Sequence, residues 1–334
     1  MGQSAQWRRV EAAIAGEAVD RAPFGFWMHV PEIDRDARKL APFTVDLYRR
    51  YQMDYVKVMF RSSWGVEDWG ETVAGFHPGR GYWLADHLPI REPEDWATLK
   101  RLPPDQGTLG EQLQLLRMVR DGVAGEARVL ATLFAPTMLA AHLAGEATFL
   151  RHLREAPDAV DAGLQTIAAT LGDFADACLD QGADGLFYAI QHASHRVMPV
   201  AEYQPLADRY DRAVLAEVHA RSRLTKLHLH GDALMFELLA DFPAHVLNWY
   251  DRGGGPSLAE ARALTDRCLA GGIDHERTLL LGTPAEIAGE VTAAMRDLHG
   301  RGLMIAPGCG VPITVPERSL RMLRDAAVGD ERGS

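Results

Sequence analysis

Residues 224–231 read LTKLHLHG. The run is apolar for the most part and stops at a glycine, as a buried parallel strand does. Positions two apart on a strand point to one face, so His228 and His230 project together. Seven further runs of the same kind lie on either side: 23–30 (PFGFWMHV), 55–60 (YVKVMF), 128–134 (RVLATLF), 183–190 (ADGLFYAI), 245–251 (HVLNWYD), 277–282 (RTLLLG) and 302–308 (GLMIAPG). The segments between several of them are helical. In 158–181, Val160, Leu164, Ile167, Leu171, Phe174 and Cys178 recur at spacings of three or four and form one apolar stripe. Segment 257–270 opens on Ser257 with Glu260 three residues on, a capping box, and stops before Gly271-Gly272. Segment 283–299 carries Pro284 at its first helical position, and 316–328 closes the chain as a helix.

Eight strands joined through helices predict an α/β fold, a TIM (β/α)8 barrel. A helical extension precedes it, and the Trp-, Gly- and Pro-rich segment 61–104 reads as a long insertion over the barrel mouth. The expected organisation is a single domain, 1–334.

The 334 residues hold 35 Lys and Arg against 46 Asp and Glu, a net charge of −11. Such a chain is a poor partner for nucleic acid or an anionic membrane, both of which attract basic surfaces. No stretch approaches the roughly 18 uninterrupted apolar residues of a membrane span. The three cysteines, Cys178, Cys268 and Cys309, form no disulfide framework, and the N-terminus has no apolar leader core. The expected location is cytoplasmic. Cys178 and Cys268 both read as core positions on helical stripes.

A barrel of this kind carries its site at the C-terminal ends of the strands. There the last run ends Ala306-Pro-Gly-Cys-Gly310, with glycines leaving the Cys309 thiol accessible. His228, His230 and Cys309 together would make a three-ligand zinc site with one open position. Separately, the histidines also fit a hydrogen-bonded structural pair and the cysteine a tight turn. His192 and His195 follow the run 183–190, either as acid–base groups or as exposed loop side chains. Asp251 could set the tautomer of a ligand histidine or cap a loop. His29, Glu32 and Asp34 follow the first run. Gly253-Gly254-Gly255 lacks the lysine and spacing of a phosphate loop, and neither a nucleophile elbow nor a GxGxxG fingerprint occurs.

Four segments carry a resemblance to the uroporphyrinogen decarboxylase superfamily over nearly the whole chain: Gly182-Ala-Asp-Gly-Leu-Phe-Tyr188, Leu227-His-Leu-His-Gly-Asp232, Gly302-Leu-Met-Ile-Ala-Pro-Gly-Cys-Gly-Val-Pro-Ile313 and Val66-Glu-Asp-Trp-Gly70. The resemblance implies the same TIM barrel. True decarboxylases of the family carry an Arg-Gln-Ala-Gly-Arg-Tyr run where this chain has Trp27-Met-His-Val-Pro-Glu32, and an aspartate where it has Phe60-Arg-Ser-Ser63. The sequence is closer to the zinc-dependent methyltransferases, which move a methyl group from a corrinoid protein to a thiol. Their His-x-Cys and Gly-Cys motifs match His228 and Cys309, with His230 in place of the first Cys.

The resemblance therefore implies a methyltransferase-like enzyme holding one Zn2+ on His228, His230 and Cys309, and a corrinoid supplied by a partner protein. His192 or His195 would manage protons, Asp251 would support a ligand, and His29, Arg61, Trp64 and Tyr250 would meet the small-molecule substrate. Trp64, Trp69, Tyr82 and Trp83 would form the lid or its core. Two other readings are a metal-free decarboxylase or lyase, using His29, Arg61 and Asp251, and a non-catalytic tetrapyrrole-binding protein. The family's decarboxylases are dimers, so a homodimer is the assembly the resemblance implies.

Overall fold

In the computed structural model, residues 4–329 are described. Among them nine strands occur: β1 (Tyr55–Lys57), β2 (Thr72–Phe76), β3 (Trp83–His87), β4 (Arg128–Phe134), β5 (Gly185–Ile190), β6 (Lys226–Leu229), β7 (Val246–Trp249), β8 (Cys268–Ile273) and β9 (Leu303–Pro307). Seven form one parallel sheet in the order β1-β4-β5-β6-β7-β8-β9. Strands β5 to β9 are buried along their whole length, as a sheet covered by helices requires.

The gap between β9 and β1 is closed by residues 23–25. Ile305 N–H donates to Pro23 O (2.7 Å), Gly25 N–H to Ile305 O (3.2 Å) and Asp54 N–H to Phe24 O (2.8 Å). This extended segment makes a single parallel bridge, Phe24 to Ile305, and occupies the eighth position of a TIM barrel. It is pinned by Asp54, whose carboxylate accepts from the Phe24 N–H at 2.8 Å and from Arg21 at 2.6 Å.

Two expectations about the strands are corrected. The run 277–282 is no strand: Thr278–Leu281 is a helical turn with Leu281 84% exposed. The strand before it in the chain is β8, CLAGGI, whose first three residues fall within the helix expected over 257–270. The capping box at Ser257 and Glu260 is present, but its helix ends at Leu264. Cys268 is consequently buried on a strand and not on a helical stripe. Glycine suits β8 for a local reason: a Cβ at Gly271 would lie 2.6 Å from the Asp251 carboxylate, and Gly272 has φ +103°.

The insertion does reach the mouth. Strands β2 and β3 pair antiparallel, and the turn between them touches the barrel rim where Ile313 N–H donates to Gly79 O (2.9 Å) and Arg80 pairs with Glu276. At its base, the Trp83 indole N–H donates to Asp34 (3.0 Å to the nearer oxygen), with the Arg35 guanidinium 4.5 Å above the ring. Among the described residues, no helix is long and apolar enough to cross a membrane.

Candidate metal centre and active site

Strands β6 and β9 end at the same side of the barrel, and their polar termini meet. The ligand atoms of His228, His230 and Cys309 all lie within 4.8 Å of one another. Cys309 Sγ is 3.6 Å from His230 Nδ1, and the Tyr250 hydroxyl is 3.3 Å from the same nitrogen. Burial alone would raise the Cys309 thiol, but the nearness of His228 and the hydrogen bond with His230 bring it well below its ordinary value. His230 is raised in return: its contact with Cys309 outweighs the effect of burial. The pair thus favours a thiolate, the form in which cysteine binds metal.

The orientation of His228 follows from hydrogen-bond accounting. Asn248 Nδ2 donates to Ala270 O (2.9 Å) and Pro307 O (3.1 Å), so its amide has one sense only. Its Oδ1 then accepts from His228 Nδ1 at 2.8 Å. That leaves His228 Nε2, buried and without a hydrogen-bond partner, as the lone-pair donor facing the site. Phe187 stacks on the imidazole at 5.1 Å and fixes its plane. Two imidazoles and a thiolate with one unpaired buried nitrogen fit a Zn2+ ion. Beside them opens a cavity of about 380 Å³ lined by His230, Tyr250, Asp251, His275, Arg80 and Gly308, among others.

The remaining expected site residues divide. His29 is half-buried, with Nδ1 unpartnered, and burial beside Lys57 pushes it down to about 3. His192 is fully buried after β5, 3.9 Å from Glu146, with neither ring nitrogen hydrogen-bonded. Burial, with His142 and His230 nearby, pushes it down to about 4. His195 is exposed on the loop, its backbone N–H held by Ala233 O. Asp251 lines the cavity, and its Oδ2 accepts the Gly272 N–H at 3.0 Å. The side chain hydrogen-bonded to His228 is Asn248.

Arg61 and Trp64 stand elsewhere. Arg61 is paired with Glu67 (2.8 Å) and Glu111 (2.6 Å). Trp64 is fully buried among Phe60, Phe134 and Phe174 and faces no substrate space. Asn248, His275, Lys57 and His142 were not singled out in the sequence. A polar residue inside the apolar run 245–251 was a signal for Asn248. His275 follows β8, so missing that strand hid it.

A parallel barrel with two histidines and a cysteine gathered at its C-terminal rim is a TIM-barrel architecture with a metal-competent mouth. The chain matches the family Uroporphyrinogen decarboxylase (URO-D) over residues 6–329, and it belongs to that family. Within it, the chain is a methyltransferase-like enzyme. It is 22% identical over 306 residues to the Methylcobamide:CoM methyltransferase MtbA of Methanosarcina acetivorans, covering 89% of this chain and 86% of that protein. The MtbA of Methanosarcina mazei is 23% identical over 303 residues, covering 90% and 86%. The fold agrees with a solved methyltransferase from Methanosarcina mazei at a TM-score of 0.84 and 18% identity, covering 98% of this chain and 99% of that one.

Proposed function

We propose that this protein is a zinc-dependent methyltransferase that accepts a methyl group from a corrinoid and delivers it to a thiol or hydroxyl acceptor. The observation that carries the reading is the meeting of His228, His230 and a thiolate-prone Cys309, with His230 at the wall of the 380 Å³ cavity. Zn2+ on these three residues would supply the Lewis acidity that keeps a thiol or hydroxyl acceptor in its nucleophilic form. One anionic donor, where the family's methyltransferases have two, makes a stronger Lewis acid and suits oxygen acceptors as well as sulfur.

The chain's own groups do the rest. Asn248 orients His228, and Phe187 keeps its ring from turning. The Tyr250 hydroxyl, held protonated by burial and by the neighbouring Cys309 thiolate, can donate a hydrogen bond to the acceptor atom. The Arg80–Glu276 bridge joins the inserted hairpin to the loop after β8 beside the cavity. A carboxy-lyase reading has less support, because Arg61, the cation it would use, is already engaged by Glu67 and Glu111.

The test is methyl transfer from free methylcobalamin, a surrogate for a protein-bound corrinoid, to a panel of thiols and phenols. Zinc-loaded wild type is expected to consume the methyl–cobalt absorbance and form methylated acceptor, with Cys309→Ser at least 100-fold slower. No methylated product from any acceptor, together with turnover of a carboxylated substrate, would overturn the reading.

A further inference from the structure

The cavity beside the donor set has a charge pattern of its own. Four carboxylates line it, on Asp232, Asp251, Asp274 and Glu276, against two guanidiniums, on Arg80 and Arg252. Both guanidiniums are already engaged by the protein. Arg80 pairs with Glu276. Arg252 donates through Nη2 to Glu290 O (2.8 Å) and Gly272 O (3.2 Å), and its Nε lies 3.5 Å from Asp251 Oδ2. Among the described residues, no lysine lines the cavity. Burial lowers the His275 imidazole, which therefore adds no cation near neutral pH.

Three of the four acids are satisfied within the fold. Glu276 holds Arg80, and Asp232 pairs with Arg196 at 2.8 Å. Asp274 Oδ1 accepts the backbone N–H groups of Glu276 (2.9 Å) and Arg277 (2.8 Å). Asp251 is different. Its side chain is buried in the cavity wall, Oδ2 accepts the Gly272 N–H, and Oδ1 has no hydrogen-bond partner. A buried carboxylate oxygen left unpaired costs free energy that a donor on a bound ligand recovers. Asp251 also shares its wall with the donor set: His230 and Gly308, the neighbour of Cys309, line the same cavity. Tyr250, between them, holds its hydroxyl 3.3 Å from His230 Nδ1. An acceptor with its thiol at the donor set therefore extends its other end along a wall that ends in an unpaired carboxylate oxygen.

We propose that Asp251 selects the methyl acceptor, its free Oδ1 receiving an N–H of a protonated amine, so that the preferred acceptor is a short aminothiol. The inference rests on the zinc-and-thiol reading above. A zinc ion, the Cys309 thiolate and the acceptor thiolate together leave no net charge, so the tail of the acceptor meets the carboxylates without compensation from the metal. An ammonium tail gains a charge-assisted hydrogen bond there. A hydroxyl tail keeps a hydrogen bond but not the charge. A sulfonate or carboxylate tail finds every guanidinium engaged and faces an unpaired carboxylate, a like-charge contact that rejects it.

The test compares three two-carbon thiols that differ only at the tail: cysteamine, 2-mercaptoethanol and 2-mercaptoethanesulfonate. Each is titrated by calorimetry into zinc-loaded protein at pH 7, so turnover is not needed. Wild type is expected to bind cysteamine roughly 10-fold more tightly than 2-mercaptoethanol and the sulfonate about 100-fold more weakly than cysteamine. In Asp251→Asn the Gly272 N–H keeps the amide oxygen, which leaves the NH2 group at the position of Oδ1, a donor where an acceptor stood. The advantage of cysteamine over 2-mercaptoethanol is expected to fall to about 2-fold or less. Comparing the ratio between wild type and variant cancels the different acidities of the thiols, and a purely structural loss would weaken all three equally. Asp251→Ala serves as a second variant, and the wild-type series stands without either. A sulfonate bound by wild type as tightly as 2-mercaptoethanol, or a cysteamine advantage unchanged in the variants, would overturn the role of Asp251 and leave the zinc-and-thiol reading standing. Absence of binding by all three thiols to zinc-loaded wild type would overturn that reading and the inference with it.

Discussion

Asn248 makes three hydrogen bonds with one amide: it ties the carbonyls of Ala270 and Pro307 to the imidazole of His228. An apolar replacement of similar size removes the bond that sets the tautomer and leaves two buried carbonyls without that donor. Asn248→Leu is therefore expected to weaken zinc binding about 10- to 100-fold, measured by competition with a chromophoric chelator. Unchanged affinity would show that His228 orients itself without help. The donor residues were legible in the sequence because His-x-His and Gly-Cys-Gly stand at strand ends, where polar side chains are conspicuous. Their support was only half legible. Asn248 and Asp251 lie three apart in one run, and which of them meets His228 depends on where the strand ends, at Trp249.

At the level of elements, β8 shows why some of the fold was hidden. CLAGGI has no bulky β-branched run, since its space is taken by the Asp251 carboxylate and by Ala294, whose methyl would lie 2.7 Å from a Cβ at Gly272. RTLLLG looks like a strand in composition, yet it carries Leu281 into solvent on a single helical turn. The inserted hairpin has a pH-dependent anchor. Burial raises Asp34 to about 7, against the opposing effects of Trp83, Arg61 and Arg35. Its proton is held more tightly in the folded state than in the unfolded chain, where an aspartate titrates near 4. Stability from this group is accordingly lost as pH rises from about 4 to 7, and it changes little above that. Asp34→Asn keeps an acceptor for the indole and removes the titration. The variant is expected to gain roughly 1–2 kcal/mol over wild type at pH 8 and close to nothing at pH 4. Parallel melting curves at the two pH values check this; an equal shift at both would assign the effect to packing.

Across the whole molecule, the barrel emerges from the sequence although one of its eight expected strands was misplaced. The run 277–282 was counted where 268–273 belonged, so the number of strands held while one position moved. Closure through residues 23–25 was less visible, because an extended segment with a single bridge has the composition of a strand without its ladder. The chain carries −11 overall, while the barrel interior below the donor set holds two lysines without carboxylate partners. The central claim is that His228, His230 and Cys309 hold one zinc ion. Its most direct test is plasma mass spectrometry of protein stripped with a chelator, reloaded with zinc and desalted, wild type beside Cys309→Ser and His228→Ala. The account predicts about one zinc per wild-type chain and loss of that zinc in both variants. Zinc-free wild type after reloading, or variants that retain a full equivalent, would contradict it.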